Sequence, residues 1–227
     1  MSAVLFVYTS ANKTLTGAQT GWYLPEAAHA YYVLAPHFKI DFTSPSGPNP
    51  PIDESSVQAY TDTGSVNFLN DETVKQKLAN AKKLSEVNVA DYAAIYYVGG
   101  HGPVIDLPFD PVNGKLVSEF WAAGKVVSAV CHGTAALLHG VDKSGASIFA
   151  GRKFTGFSNT EEETVGKVKD IPFLLEDKIA SLGGKYEKAE ALWGAHVVVD
   201  GQLITGQNPA SAAGVGEAIL QALKGEN

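Results

Sequence analysis

Cysteine is almost absent from this chain of 227 residues, which contains a single one, Cys131. An intramolecular disulfide and a zinc site built from several cysteines are therefore excluded. Long hydrophobic runs are also missing, since none approaches the ~18 residues of a membrane-spanning helix. The N-terminus lacks the positive region and the longer apolar stretch of a secretory signal. Together these absences predict a cytoplasmic protein that does not contact a membrane.

Positive charge is scarce as well. The 17 Lys and Arg residues face 24 Asp and Glu residues, which gives a net charge of −7. This charge opposes non-specific attraction to nucleic-acid phosphates, so no nucleic-acid partner is expected. A composition of 45% hydrophobic and 18% charged residues is typical of a folded domain, and excludes a disordered chain or a coiled coil. With no linker visible, we expect one domain over residues 1–227.

Short apolar runs bounded by Gly, Pro, Asn or Asp predict β-strands. They lie at Val4 to Tyr8, Ala93 to Val98, Val126 to Val130 and His196 to Val199. Strands this continuously apolar suit a sheet that is covered on both faces and mostly parallel. Helical segments alternate with them, at Pro25 to Ala35, Asp71 to Leu84, Asn113 to Ala123, His132 to His139, Phe173 to Leu182 and Pro209 to Leu223. This alternation predicts an α/β fold with helices on both faces of the sheet.

Two stretches depart from the alternation. Residues 44–64 contain four prolines and no apolar periodicity. Because a compact domain rarely carries so long a structureless loop without a reason, we expect an ordered surface insertion near the functional site or at a dimer contact. The pair Asp200-Gly201, flanked by Val197 to Val199 and by Leu203 to Thr205, predicts a tight β-hairpin.

The single cysteine lies where a buried strand ends. The run Val126 to Val130 leads directly into Cys131-His132-Gly133 and then into small and apolar residues. This pattern predicts a nucleophile elbow, a sharp turn that projects its central side chain from the carboxyl edge of the sheet. The N–H groups that follow favour the thiolate and can hold an oxyanion. Cys131 is thus a candidate nucleophile, although a lone cysteine can also be a small hydrophobic residue of the core.

A second glycine-rich turn follows the strand Ala93 to Val98 and reads Gly99-Gly100-His101-Gly102. Its free backbone N–H groups could complete an oxyanion hole beside the cysteine. By itself, a turn of this composition more often marks only a sharp reversal of the chain.

Together, Gly99 to Gly102 and Ala129 to Gly133 resemble motifs of the ThiJ/PfpI superfamily, whose flavodoxin-like fold is similar to class I glutamine amidotransferases. Gly21 to Glu26 resembles the early glutamate motif of this superfamily. Gly156 to Glu162 resembles its third catalytic segment, and Leu203 to Ser211 its carboxyl-terminal signature. The resemblance covers most of the chain. The proline-rich insertion and a run of three glutamates are most similar to the glyoxalase III and heat-shock chaperone branch.

The resemblance implies catalytic roles for four residues. Cys131 matches the nucleophile, His132 its neighbouring imidazole, Glu162 the carboxylate that orients this imidazole, and Glu26 the acid beside the sulfur. A carboxylate on one ring nitrogen would fix the tautomer of His132 and raise its basicity. A carboxyl group crowded against the sulfur should stay protonated and donate a hydrogen bond to the thiolate. These four residues therefore predict a reactive thiol at neutral pH.

Further positions follow from the same resemblance. Gly100 and the backbone N–H of His132 match the oxyanion hole, and His101 is expected to line the substrate pocket. The residues alone leave alternatives open: the run Glu161 to Glu163 could be a solvated helix start, and the triad carboxylate could come from a neighbour of Glu162.

The activity implied by the resemblance is a glutathione-independent glyoxalase III, a lyase of the D-lactate dehydratase type that detoxifies methylglyoxal. Its substrate would be a small 2-oxoaldehyde, attacked by Cys131 and rearranged to lactate by an acid/base group. Whether His132 or Glu26 moves the carbon-bound proton stays open. No cofactor is required, and no His-Glu-x-x-His or comparable spacing indicates a metal site. The superfamily also suggests a homodimer.

Two other functions compete with this prediction. A cysteine peptidase or amidase could use the same residue types, although the adjacency of Cys131 and His132 differs from arrangements in which the base comes from a distant segment. Alternatively, the protein could be a holdase chaperone of the stress response or a redox sensor, in which Cys131 is oxidised rather than used in turnover.

Overall fold

The computed structural model describes residues 3–225, and its centre is a seven-stranded β-sheet. In chain order the strands are β1 (Ala3–Val7), β2 (Lys39–Ser44), β3 (Lys82–Lys83), β4 (Tyr92–Tyr97), β5 (Val126–Val130), β6 (Lys153–Phe154), β7 (Lys185–Tyr186), β8 (Val197–Asp200) and β9 (Leu203–Gly206). The sheet has the order β3-β2-β1-β4-β5-β9-β8, whereas β6 and β7 form a separate parallel pair. Only the β8–β9 pairing is antiparallel within the main sheet of the described chain. The central strands β1 and β5 are entirely buried, as expected for a sheet covered on both faces.

Helices flank this sheet. They are α1 (Leu24–Leu34), α2 (Glu54–Ala59), α3 (Thr63–Asn70), α4 (Glu72–Ala79), α5 (Gly102–Asp106), α6 (Pro111–Ala122), α7 (Asn159–Thr164), α8 (Leu175–Ala180) and α9 (Ala212–Lys224). Side-chain caps begin several of them: the carboxylate of Asp110 accepts hydrogen bonds from two N–H groups at the start of α6. α9 lies against α1, and Gly216 permits a close approach because a Cβ there would lie 3.2 Å from Ala30.

The predicted α/β fold with a mostly parallel sheet is confirmed, and so is the hairpin at Asp200-Gly201, which joins β8 to β9. Strand β2 was not predicted, because Lys39 and Asp41 interrupt its apolar character. The helix predicted over Asp71 to Leu84 is too long: α4 ends at Ala79, and the chain continues into β3. The helix predicted from His132 to His139 is instead a 3-10 helix over Cys131–Leu137.

The proline-rich insertion at residues 44–64 is ordered and lies beside the site. The indole Nε1 of Trp22 donates to the carbonyl of Pro50 at 3.1 Å, and the backbone N–H of Trp22 donates to the carbonyl of Pro51 at 2.9 Å. Asp53 then caps α2 by accepting a hydrogen bond from the N–H of Ser55. The insertion is therefore not a structureless loop, because it contains α2 and the first residues of α3.

Candidate active site

Cys131 follows the last residue of β5 and has a φ of +56°. This left-handed conformation is unfavourable for a residue with a Cβ, and it is tolerated where the surrounding structure enforces it. The next turn requires glycine at position 133, since a Cβ on Gly133 would lie 2.5 Å from the carbonyl oxygen of Tyr97. The sharp turn predicted for the nucleophile elbow is thus present.

The sulfur of Cys131 reaches a cavity. The residue is only 4% exposed, but it lines a pocket of about 340 Å³. The backbone N–H groups of Gly100 and His132, the residues expected to form the oxyanion hole, lie close enough to the sulfur to lower the pKa of the thiol. Gly100 has a φ of +100°, and a Cβ there would lie 2.4 Å from the carbonyl of Gly21. The turn therefore depends on a glycine at this position to bring its N–H to the sulfur.

The protonation of Cys131 differs from the sequence prediction. Burial raises the pKa of this thiol well above its usual range, and the neighbouring Glu26 carboxyl group acts in the same direction. The N–H groups of Gly100 and His132 oppose this shift without cancelling it. Because desolvation is the larger effect, a base must take the proton of the thiol as it reacts.

His132 is positioned to be this base. Its Nδ1 lies 3.3 Å from the sulfur of Cys131, and its Nε2 is hydrogen-bonded to Oε2 of Glu162. Both His132 and Glu162 are buried. Burial alone would raise the pKa of Glu162, but the His132 imidazole and hydrogen bonds from two histidines outweigh it and lower this pKa. An ionised Glu162 accepts the Nε2–H of His132, which leaves Nδ1 as the acceptor that faces the thiol.

His101 is the second histidine on this carboxylate. Its Nε2 lies 2.7 Å from Oε1 of Glu162, and its ring centroid is 4.1 Å from that of His132. Burial and the neighbouring His132 lower the pKa of His101 to about 4, so its ring is neutral at pH 7 and donates through Nε2. His101 lines the cavity as predicted. Its bond to Glu162 was not predicted, because no spacing rule links these two segments.

Glu26 is buried in α1 beside the cysteine. A Cβ added to Gly99 would lie 2.1 Å from Oε2 of Glu26 and 2.8 Å from the Cβ of Cys131, so a glycine at position 99 allows the two side chains to converge. Neither carboxyl oxygen has a hydrogen-bond partner of ordinary geometry within the described chain. Burial raises the pKa of Glu26 well above its usual range, although the Cys131 thiol and the Gly99 N–H lie close enough to oppose this shift. Glu26 is therefore a carboxylic acid that can donate a proton next to the sulfur.

The same cluster contains three potential metal ligands. One nitrogen each of His101 and His132 and one oxygen of Glu162 lie within 4.8 Å of one another. No spacing in the chain indicates this grouping, because a glycine turn, an elbow and a helix start each supply one residue. The nitrogens that face Glu162 are already hydrogen-bonded to its carboxylate.

Sequence reasoning missed several residues of the cavity wall. Those are Tyr23, Asp53, Ser55, Tyr60, Phe157, Val165, Lys167, Trp193 and Pro209. Tyr23 and Phe157 lie in the two segments that contain Glu26 and Glu162. Their places in these motifs could have indicated that they line the cavity. Tyr60 belongs to the insertion, whose composition gives no sign of which side chain turns inward.

Comparison with known proteins identifies the family. Residues 54–222 match the model of the DJ-1/PfpI family. The chain belongs to the DJ-1/PfpI family. The resemblance to ThiJ/PfpI proteins is thereby confirmed. Glu26 precedes the matched range. The glutathione-independent glyoxalase HSP31 of Saccharomyces cerevisiae is 33% identical over 97% of this chain and 98% of its own, a coverage that includes Glu26.

Other known proteins are also similar to this chain over nearly its whole length. Glyoxalase 3 of Candida albicans is 30% identical over 99% of both chains. The crystal structure of glyoxalase III from the same organism superposes with a TM-score of 0.89, at 28% identity and 97% coverage of both chains. The rapid encystment protein of Francisella tularensis has a TM-score of 0.92 at 38% identity, covering 98% of this chain and 99% of its own.

In residues 3–225 of this DJ-1/PfpI chain, no helix is long and apolar enough to cross a membrane.

Proposed function

We propose that this protein is a glutathione-independent glyoxalase III, an enzyme that converts methylglyoxal and water to lactate. The observation that carries the proposal is the 3.3 Å contact between the Cys131 sulfur and Nδ1 of His132, at the wall of a cavity that Glu26 also lines. The names of the relatives, 33% and 30% identical over nearly the whole chain, support an enzyme of this kind.

In the first step, the Cys131 sulfur attacks the aldehyde carbon, C1. His132 takes the thiol proton at Nδ1, which leaves an imidazolium hydrogen-bonded to Glu162. Charge that develops on the aldehyde oxygen is held by the N–H groups of Gly100 and His132. Glu26 then gives its proton to this oxygen, so the product is a neutral hemithioacetal and Glu26 is a carboxylate.

In the second step, Glu26 removes the proton from C1. We assign this role to Glu26 because the first step leaves Glu26 as a carboxylate, whereas His132 is already protonated and cannot accept a second proton. The electron pair of the C1–H bond forms a C1=C2 double bond, and the ketone oxygen on C2 becomes an enediolate. The imidazolium of His132 protonates this oxygen. His132 then accepts the proton of the C1 hydroxyl, while Glu26 returns its proton to C2. The product is a thioester of lactate on Cys131.

In the last step, water hydrolyses the thioester. Glu26, again a carboxylate, takes a proton from the attacking water, and the imidazolium of His132 returns its proton to the leaving sulfur. The products are lactic acid and the free thiol, with Glu26 protonated as at the start. This assigns the enzyme to the lyases of the D-lactate dehydratase type, which a stereospecific lactate assay would test.

The same proposal includes a cellular location and an assembly. We propose a cytoplasmic location, because a reducing compartment keeps a catalytic thiol available. We also propose a homodimer, as in the superfamily that the motifs resemble. Light scattering of the purified protein would measure its mass against the 23.9 kDa of one chain.

The decisive experiment measures lactate rather than loss of methylglyoxal, since lysine, arginine and free thiols also consume this aldehyde. Purified protein, methylglyoxal and no glutathione should produce lactate, and both Cys131→Ser and Cys131→Ala should abolish it. His139→Gln, at an exposed histidine, is the control and should keep full activity.

A wild-type protein that makes no lactate overturns the proposal. If this protein instead suppresses client aggregation independently of Cys131, the holdase function is correct. If it cleaves amide substrates through Cys131, the peptidase or amidase function is correct.

A further inference from the structure

The proposed reaction places negative charge at two different oxygens of the substrate. Attack by sulfur charges the oxygen on C1, whereas removal of the C1 proton charges the oxygen on C2. The N–H groups of Gly100 and His132 donate toward the Cys131 sulfur and so serve the first oxygen. They cannot serve both oxygens equally, because C2 lies one bond further from the sulfur. A second set of donors is therefore needed for the enediolate oxygen.

Two tyrosines line the cavity that holds Cys131. Tyr23 is the residue immediately before α1, and its backbone N–H donates to the carbonyl of Gly99 at 3.0 Å. Tyr60 is the residue immediately after α2, in the proline-rich insertion. Their rings meet edge to face with centroids 5.6 Å apart, so the two phenols form one wall. Both rings are partly buried.

These phenol hydroxyls have no hydrogen-bond partner among residues 3–225. By contrast, the hydroxyls of Tyr92, Tyr96 and Tyr97 each donate to a carboxylate, carbonyl or amide oxygen. Polar groups that are partly buried in a cavity and unpaired within the protein are available to a ligand.

The tyrosines are also neutral donors. Burial raises the pKa of Tyr23, and the charges of Tyr60, Glu26 and Cys131 add to this shift. Burial raises the pKa of Tyr60 as well, followed by the charges of Glu26 and Cys131. Both phenols thus keep their protons at neutral pH, and both are near enough to the reacting groups to feel their charge. Lys167 lines the same cavity, but its ammonium contacts Asp170 at 3.4 Å.

We infer that the hydroxyls of Tyr23 and Tyr60 form a second oxyanion site, which donates hydrogen bonds to the oxygen on C2 as the enediolate forms. This inference rests on the proposed function. The proline-rich insertion would then take part in catalysis, because it places Tyr60 in the wall of the cavity that holds Cys131. The inference also predicts that the enzyme requires a carbonyl on C2.

The test compares Tyr23→Phe, Tyr60→Phe and the double variant with wild type. Removing one donor from an oxyanion site costs on the order of 100-fold in kcat, and a site shared by two phenols should lose roughly 10- to 100-fold per substitution. Propanal, which forms a hemithioacetal but has no oxygen on C2, serves as a competitive probe. Its inhibition constant should not change in any variant. Tyr32→Phe, at an exposed position of α1, is the matched control and should keep wild-type kcat.

Each result separates the inference from the proposed function. Lactate formation by wild type, with kcat lost in the double variant and propanal inhibition unchanged, supports the second oxyanion site. A double variant with wild-type kcat overturns it and leaves the glyoxalase proposal standing. Parallel loss of kcat and of propanal inhibition also overturns it, because the phenols would then shape the pocket or serve the oxygen on C1. Absence of lactate with wild type overturns the proposed function and, with it, this inference.

Discussion

Nε2 of His101 lies 2.7 Å from Oε1 of Glu162, and His132 holds the other oxygen of the same carboxylate. Glu162 therefore accepts hydrogen bonds from two buried imidazoles. Since the pKa of His101 is lowered to about 4, the ring of His101 is neutral at pH 7. In the proposed mechanism, His101 acts through Glu162 and is a positioning residue for the base.

Substitution of His101 should weaken the base without removing it. We expect His101→Ala to lower kcat by roughly 10-fold, in line with the loss of one hydrogen bond to a charged group. His101→Gln can still donate from its amide to Oε1 of Glu162 and should recover most of the rate. The pH profile of kcat/KM for the alanine variant should also shift, because Glu162 would be held less firmly against His132. If the alanine and glutamine variants behave alike, the hydrogen bond to Glu162 has no part in catalysis.

Much of this site could be predicted because motifs fix local geometry. The run from Val126 to Gly133 indicated a buried strand and a sharp turn, and the structure has both. Parallel strands end at a common sheet edge, so the turns at Gly99 and Cys131 meet there.

Long-range convergence could not be predicted in the same way. The insertion turns Tyr60 toward the cavity, although its sequence carries no periodicity. The protonation of Cys131 depends on how completely burial removes water, and local sequence does not report burial of this kind. The elbow motif predicts the N–H groups that stabilise the thiolate. It does not predict the larger free-energy cost of removing that thiolate from water.

Glu26→Gln should separate the reactivity of the thiol from turnover. Burial holds Glu26 protonated in the resting enzyme, so glutamine replaces it without a change of charge, and desolvation still raises the pKa of Cys131. Alkylation by iodoacetamide should therefore follow nearly the same pH dependence as in wild type. Lactate formation should fall by about 10²- to 10⁴-fold, because the amide cannot move a proton. Glu217→Gln, at an exposed position of α9, provides the control for both measurements.

Turnover by Glu26→Gln near the wild-type rate would contradict the assignment of Glu26 as the group that removes the C1 proton. His132 would then be the base for both the thiol and the carbon.

A buried amide links the carboxyl-terminal motif to the run of three glutamates. Nδ2 of Asn208 donates to Oε1 of Glu161 and to the carbonyl of Gly194, both at 2.8 Å. Asn208→Asp would set a carboxylate against the buried carboxylate of Glu161. We expect the free energy of unfolding to fall by about 3 kcal/mol or more, because Glu161 would lose a hydrogen-bond donor and face a second buried negative charge. Urea unfolding should show partial recovery at acidic pH, where one carboxyl group takes up a proton.

Asn80→Asp, at the exposed end of α4, is the control for Asn208→Asp and should change stability little. Equal losses in the two variants would show that the Asn208 amide is not a special contact.

Asp106 should make stability depend on pH in a direction unusual for a carboxylate. Burial raises its pKa from 3.8 to about 6, and this outweighs hydrogen bonds from Ser10, Thr9, Leu107 and Ala11. Between these two values the folded protein binds more protons at Asp106 than the unfolded chain does. Its contribution to the free energy of unfolding therefore falls as the pH rises through this window, by at most about 3 kcal/mol.

Asp106→Asn removes this titration while keeping one oxygen that can accept from the N–H groups of Ser10 and Ala11, which both donate to Oδ2 of Asp106. The difference in unfolding free energy, wild type minus variant, should therefore decrease from pH 3.8 to pH 6 and level off above that. Taking this difference cancels the groups that both proteins share, including His101, whose lowered pKa acts in the opposite direction over much of the same window. Asp91→Asn, at an exposed position, should give a nearly constant difference. A constant difference for Asp106→Asn as well would mean that Asp106 is ionised throughout the window, with its hydrogen-bond donors outweighing burial.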